Sequence, residues 1–350
     1  TRHSSSKVFL KPVLKNPRLT ILDNTQVKNL IIKDKKITGI KIQNKSIEQI
    51  IHLSHGAILC SGSIMTPYLL MHSGIGDKEH LKKFDKEIII DNSNVGRNLQ
   101  DHLGLDYLFK THHHSLNKSL GTWPGRITSV LKYIYNRKGP LSLSINQSGG
   151  YVNWHSKHHY PNLQIYFNPL TYSITHKNKR PLLKTDKFNG FIIGYNSCRP
   201  KSLGRVALNS PNFEDAPLID PNFLSHEEDI YDVKCAINFS KVLANTNSIK
   251  KIRNESVTHD LLNATEEEMI DHFKSNAVSI YHPCGTCKMD EDPKKGVVSE
   301  RLKVHGMENL WIADASVFPN ITSGNINAPV MMLANLGSKF IIEDLKNFNL

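Results

Sequence analysis

No run of about 18 apolar residues occurs anywhere in this 350-residue chain, so the sequence holds no candidate for a helical membrane span. Cysteine is sparse, with five residues, too few to staple a chain of this length. Cys60, Cys198 and Cys235 stand singly in apolar surroundings and read as buried thiols. Lysine and arginine outnumber aspartate and glutamate by 44 to 32, a formal net charge of +12, yet no basic run of five or six exists. The basic residues fall in pairs such as Lys35-Lys36, Lys82-Lys83, Lys250-Lys251 and Lys294-Lys295. That scatter reads as solvated surface, and no nucleic acid is expected as a partner. The histidine groups His112-His113-His114 and His155 with His158-His159 lack a spaced cysteine or carboxylate, so they read as exposed loops and no metal is expected. The first residues contain neither an initiator Met nor a signal-peptide apolar region. The chain reads as beginning in mid-protein, and its length allows one large domain or two ordinary ones.

What is present changes texture along the chain. Leu19–Leu22, Val27–Ile32, Ile37–Ile42, Ile47–Leu53 and Gly56–Cys60 read as short strands, with Asp34-Lys35 as a turn. Thr66 reads as the cap of a helix with Pro67 at its first position, ending at Ser73-Gly74. Further on, Trp123-Pro124 opens a helix with Ile127, Val130, Leu131 and Ile134 on one face. Leu163–Phe167, Phe188–Tyr195 and Leu203–Leu208 read as strands, Ile230 to Ala244 as an amphipathic helix, and Thr265 with Glu268 as a capping box. The tail returns to a strand at Leu310–Ala313 and a long helix from Ala328-Pro329 to about Lys346. The expected organisation is discontinuous, α/β plus α+β. Residues 1–103 and 277–350 would build one domain around an inserted domain, 104–276, on an antiparallel sheet.

Four segments carry chemistry. Gly62 to Gly76 combines small residues with a helix start, which lets backbone approach a ligand; an ordinary strand-turn-helix unit would look the same. Asn94-Val-Gly96-Arg97-Asn98-Leu-Gln100-Asp101-His102 packs polar donors into one loop, suited to a ligand edge or to a hydrogen-bonded structural loop. Tyr281-His282-Pro283-Cys284-Gly285-Thr286-Cys287 holds a Cys-x-x-Cys without the strand-helix context of a redox dithiol. A zinc deaminase would need a nearby His-x-Glu, and His226-Glu-Glu228 lies far upstream at a helix start. Two cysteines and one histidine would leave zinc a ligand short. His282 is the more economical candidate, as a neutral imidazole acting as general base. In Asp314 to Pro329, Asn327 lies two residues before a helix-opening Pro, as a cap or as part of a positively polarised helix start.

In this order, the four segments resemble the glucose–methanol–choline family of FAD-dependent alcohol oxidoreductases, with the likeness nearest to the insect-type glucose dehydrogenase branch. Gly62 to Gly76 matches the family's second signature. Arg2, Ser5 and Phe9-Leu10-x-Pro12 resemble the stretch before the strands. The resemblance implies an FAD domain, incomplete here, and a substrate domain. It implies that His282 takes the proton of a substrate hydroxyl, and that Asn327, the second active-site position, hydrogen-bonds the alkoxide. It places Val27 at the adenine, Asp314 and Ala315 at the phosphates and isoalloxazine, and Asn325 and Asn327 among the residues that hold FAD. It implies a sugar or other alcohol as substrate and a quinone-like compound or O₂ as electron acceptor, and it carries secretion as a family trait.

The departures are informative. The dinucleotide fingerprint Gly-x-Gly-x-x-Gly and its acidic ribose partner are absent from these residues. Asp290, Ser299 and Asn335 replace the family's usual residues. The expectation is the later part of an FAD-dependent alcohol oxidoreductase. The alternative is a non-catalytic remnant that does not hold FAD alone.

Overall fold

The computed structural model describes residues 4–144, 146–175, 182–258 and 260–347; Arg2 lies outside them. The chain divides into two compact units. The first is assembled from Thr1–Asp101, Ser202–Phe223 and His282–Leu350, and the second from His102–Lys201 and Leu224–Tyr281. Ser202–Phe223, which falls inside the expected 104–276 insertion, thus belongs to the first unit. Its strand Gly204–Ala207 pairs with Arg97–Leu99, and Val206 N–H donates to the Gly96 carbonyl at 2.7 Å.

After two short helical turns at Ser6–Leu10 and Lys11–Val13, the first unit forms an antiparallel meander of Thr25–Lys33, Lys36–Asn44 and Ile47–His52. Its first hairpin turns at Asp34 and Lys35, both at positive φ, the twist that a two-residue hairpin requires. A bulge interrupts the register between Val27 and Asn29. Ala57–Leu59 pairs in parallel with Leu310–Ile312, which joins the two ends of the chain. Leu19–Leu22 forms no strand: it is irregular, with exposed side chains. Cys60, expected to be buried, is exposed at the end of its strand, whereas Cys198 and Cys235 are buried.

The helix after Cys60 starts earlier than the Thr66-Pro67 pair suggests, spanning Gly62–His72 with Pro67 in its interior. Proline has no N–H, so the Ser63 carbonyl four residues back loses its helical donor. Thr286 Oγ1 donates to that carbonyl at 2.6 Å and fills the gap. The helix is apolar all round because it is buried: Tyr68, Leu69, Leu70 and Met71 all lie in the core. His72, at its end, is packed against Tyr68 and Phe213 with ring centroids 4.4 and 5.0 Å away.

Burial and then Lys86 push the His72 pKa down to about 4. The unfolded chain therefore takes up this proton near pH 6.5, while the folded chain does not until about 4. Stability is lost as pH falls through that window. In urea titrations from pH 7 to about 4, His72→Phe should remove on the order of 2 kcal/mol of the acid-dependent loss. An unchanged pH slope would refute this role.

The second unit is a five-stranded antiparallel sheet in the order Val278–Ser279, Leu103–Lys110, Gly190–Ser197, Leu163–Asn168, Ser148–Val152. The helices Glu227–Ala244 and Glu266–Asn276 contribute Val233, Ile237, Met269 and Phe273 to the core that also takes in Tyr107, Phe109, Phe191 and Tyr195 from the sheet. The Thr265–Glu268 capping box is formed. His226, the histidine of the His-Glu-Glu triplet, is a helix cap whose Nδ1 accepts from Glu228 N–H at 3.2 Å.

Candidate functional site

Within the first unit, three segments run side by side and hold His282. Gln100 and Cys284 exchange two backbone hydrogen bonds, at 3.0 and 2.9 Å, and Gly96 N–H donates to Thr286 O at 2.8 Å. On the other side, Gly285, Cys287 and Met289 donate in turn to the carbonyls of Ala315, Ser316 and Val317. Gly285 sits at φ +89°, and a Cβ there would lie 2.5 Å from Asn98 O, so this crossing point admits no side chain.

The polar loop Asn94–His102 turns out to be the frame of the site. Asn98 Nδ2 donates to Gly285 O and Pro319 O, both at 3.2 Å. Gln100 Oε1 accepts from Ile321 N–H at 3.1 Å, which ties in the stretch that leads to Asn325. Asp101, buried, accepts the His282 backbone N–H at 2.8 Å. These partners lie about two hundred residues away along the chain, so the sequence showed only the density of polar groups.

His282 is 9% exposed. Burial lowers its pKa below the ordinary histidine value, and the Asp101 carboxylate partly opposes this. The imidazole is therefore neutral near pH 7. Its Nε2 lies 3.0 Å from Asn325 Nδ2. With the amide N–H donating, Nε2 carries the lone pair and is the basic nitrogen. Asn325, rather than Asn327, is thus the side chain brought to His282. Asn327 is two residues further on, as the first residue of the helix Asn327–Asn347, and is exposed. A two-residue offset where loop becomes helix turns the side chains in different directions, so spacing alone did not separate the two.

Asp314 has another task in this fold. Its buried carboxylate accepts from Gly62 N–H at 2.9 Å, Thr66 Oγ1 at 2.7 Å and Ser316 N–H at 2.8 Å. It caps the start of the Gly62–His72 helix and the short 3-10 turn at Ala315–Val317 together. Ala315 is buried beside it. Val27 is half-buried against the same core, at the bulge in its strand. Both cysteines of the Cys-x-x-Cys are fully buried and unbridged; burial pushes Cys284 up to about 12 and Cys287 well above the usual thiol value. Such thiols are inert packing groups. Among the described residues no three His, Cys, Asp or Glu side chains gather as a metal site.

The second unit contains a cavity of about 450 Å³ lined in part by Asp106, Tyr166, Tyr172 and His272. Sequence reasoning did not identify it. Asp106, Gly194 and Tyr166 occupy one rung across three strands. A Cβ on Gly194 would meet the Tyr166 ring at 2.1 Å, so glycine lets the ring lie across the middle strand. Tyr166 then donates its hydroxyl to Asp106 Oδ1 at 2.8 Å. Burial raises the Asp106 pKa, and the tyrosine hydrogen bond moderates the rise.

Two family models described as GMC oxidoreductase match residues 1–104 and 200–334. An alcohol dehydrogenase [acceptor] of Pseudomonas putida is 33% identical over 344 residues, covering 97% of this chain and 61% of its own. An oxygen-dependent choline dehydrogenase of Cronobacter sakazakii is 29% identical over 335 residues, covering 95% and 58%. The chain thus spans about three fifths of the length of these relatives. A solved formate oxidase of Aspergillus oryzae RIB40, studied for FAD modification, superposes with a TM-score of 0.87 at 25% identity, covering 96% of this chain and 63% of that one. A pyridoxine 4-oxidase shares the fold, with a TM-score of 0.80 at 24% identity.

Proposed function

We propose, for a chain that belongs to the GMC oxidoreductase family, that its site oxidises the CH–OH group of an alcohol with FAD as cofactor. The observation that carries this reading is the buried, neutral His282 with its Nε2 against Asn325. The likeness to an alcohol dehydrogenase and a choline dehydrogenase supports it.

The residues present fit a flavin nucleotide in part. The space in front of Gly62 is open, with no atom within 4 Å of where a Cβ would stand. Beside it, the buried Ser63 Oγ has no hydrogen-bond partner among the described residues. Gly62, Ser63 and the backbone of Asp314 and Ala315 are proposed to hold the cofactor, with the Val27 backbone at the adenine and Asn327 at the flavin. When bound, FAD supplies the hydride acceptor for the carbinol carbon.

The chain's own part is proton handling and orientation. His282 Nε2 takes the hydroxyl proton, and Asn325 Nδ2, already at that nitrogen, holds the resulting alkoxide oxygen. Asn325 therefore takes the role first expected of Asn327. The helix Asn327–Asn347 directs a partial positive charge from its start. The substrate this reading implies is a sugar or another alcohol. A quinone-like compound or O₂ would serve as the electron acceptor.

The test is anaerobic titration of the FAD-loaded protein with a panel of sugars and primary alcohols. Loss of the visible flavin band on adding one of them is expected. Bound flavin that no alcohol bleaches, or protein that holds no flavin, would count against the proposal.

A further inference from the structure

The helix Trp123–Asn136 in the second unit is amphipathic in the wrong sense for a core element. Its small residues face inward: Ser129 is buried, and a Cβ on Gly125 would lie 2.4 Å from Ser119 O on the preceding helix Leu116–Gly121. Its large apolar residues face outward. Trp123, Ile127, Val130, Leu131, Ile134 and Tyr135 are 76, 55, 45, 59, 66 and 91% exposed. At 100° per residue these six fall on one continuous stripe. A local packing accident would not place six of the helix's seven large apolar or aromatic side chains on the solvent side.

The stretch of chain that contains this helix is as one-sided in charge as the stripe is in hydrophobicity. Between Asp106 and Asp186 the chain contains no acidic residue and 11 Lys or Arg, nearly all of its net charge of +12. Arg126, Lys132, Arg137 and Lys138 lie on the helix or just beyond it. Among the described residues none of these four is in an ion pair. Arg126 stacks over Trp123 and Arg137 over Tyr133, at 5.8 and 5.1 Å from the ring centroids. Aromatic rings at the helix ends, aliphatic residues between them, and cations outside any ion pair among the described residues suit a lipid–water interface carrying negative charge. The helix has 14 residues, too short to span a bilayer. Among the described residues no helix is long and apolar enough to cross one.

We propose that the Trp123–Asn136 helix is an interfacial anchor that lays its apolar stripe on the surface of an anionic bilayer. The stripe enters the boundary between headgroups and acyl chains, while Arg126, Lys132, Arg137 and Lys138 reach the phosphates and anionic headgroups. This surface is independent of the chemistry assigned to His282, and its readout is binding rather than turnover.

The experiment is flotation of the full chain with vesicles of phosphatidylcholine containing phosphatidylserine, alongside vesicles of phosphatidylcholine alone. Binding to the anionic vesicles only is expected, weakening with salt. Lys132→Gln with Lys138→Gln should weaken it by roughly thirtyfold, about fivefold for each cation lost. Ile127→Asp with Ile134→Asp should abolish it, with the circular dichroism spectrum unchanged because both side chains are exposed. Equal binding to both vesicle types, or binding that survives the aspartate pair, would overturn the proposal. So would absent vesicle binding with a dimer that the aspartate pair dissociates, since the stripe would then be covered by a second copy.

Discussion

Replacing His282 by Ala is expected to slow alcohol-dependent flavin reduction by roughly 100- to 10,000-fold, with flavin content unchanged, as loss of a positioned general base does. The imidazole is buried and held through its backbone by Asp101, and its Nε2 is the atom facing Asn325. Alanine keeps the backbone hydrogen bond to Asp101, so the frame should survive. The pH dependence supplies a second readout. Because burial lowers the His282 pKa, the basic form persists below the ordinary value of 6.5. The rate should fall only as pH drops through that lowered value, giving an acid limb below 6.5 that disappears in His282→Ala. Stopped-flow reduction across pH measures both. A variant that keeps the parental rate and acid limb would remove His282 from the mechanism. Asn325→Ala should slow reduction more than Asn327→Ala, because the Asn325 amide lies 3.0 Å from Nε2.

The second large effect is on stability. Asp314→Ala should cost about 3–5 kcal/mol of unfolding free energy, measured by chemical denaturation. Removing the carboxylate leaves three donors without their acceptor: Gly62 N–H, Thr66 Oγ1 and Ser316 N–H. All three lie where the Gly62–His72 helix, the 315–317 turn and the Leu310–Ile312 strand meet, so the loss would be felt at the junction of the two chain ends. Asp314→Asn keeps one acceptor oxygen and should recover part of the stability. A cost below about 1 kcal/mol for the alanine variant would show that water satisfies these donors instead. The resemblance pointed to Asp314 as a cofactor contact. Its side chain instead accepts three hydrogen bonds within the fold.

What the sequence by itself determined is local. The Asp34-Lys35 hairpin, the Thr265–Glu268 capping box, the long last helix and the antiparallel character of the second unit follow from periodicity and turn chemistry, which act over a few residues. His282 stood out because its motif is short and contiguous. The tertiary structure decided what depends on contacts between distant residues. It started the Gly62–His72 helix four residues before Thr66, because Asp314 caps Gly62 and Thr286 satisfies the carbonyl that Pro67 leaves open. It brought Asn325 rather than Asn327 to His282, because Gln100 pins Ile321 and so sets the path of the loop. It also turned the apolar stripe of Trp123–Asn136 to solvent, where periodicity alone would have assigned it to a core. Hydrophobic spacing says that a face exists; which surface covers that face depends on where the rest of the chain has packed.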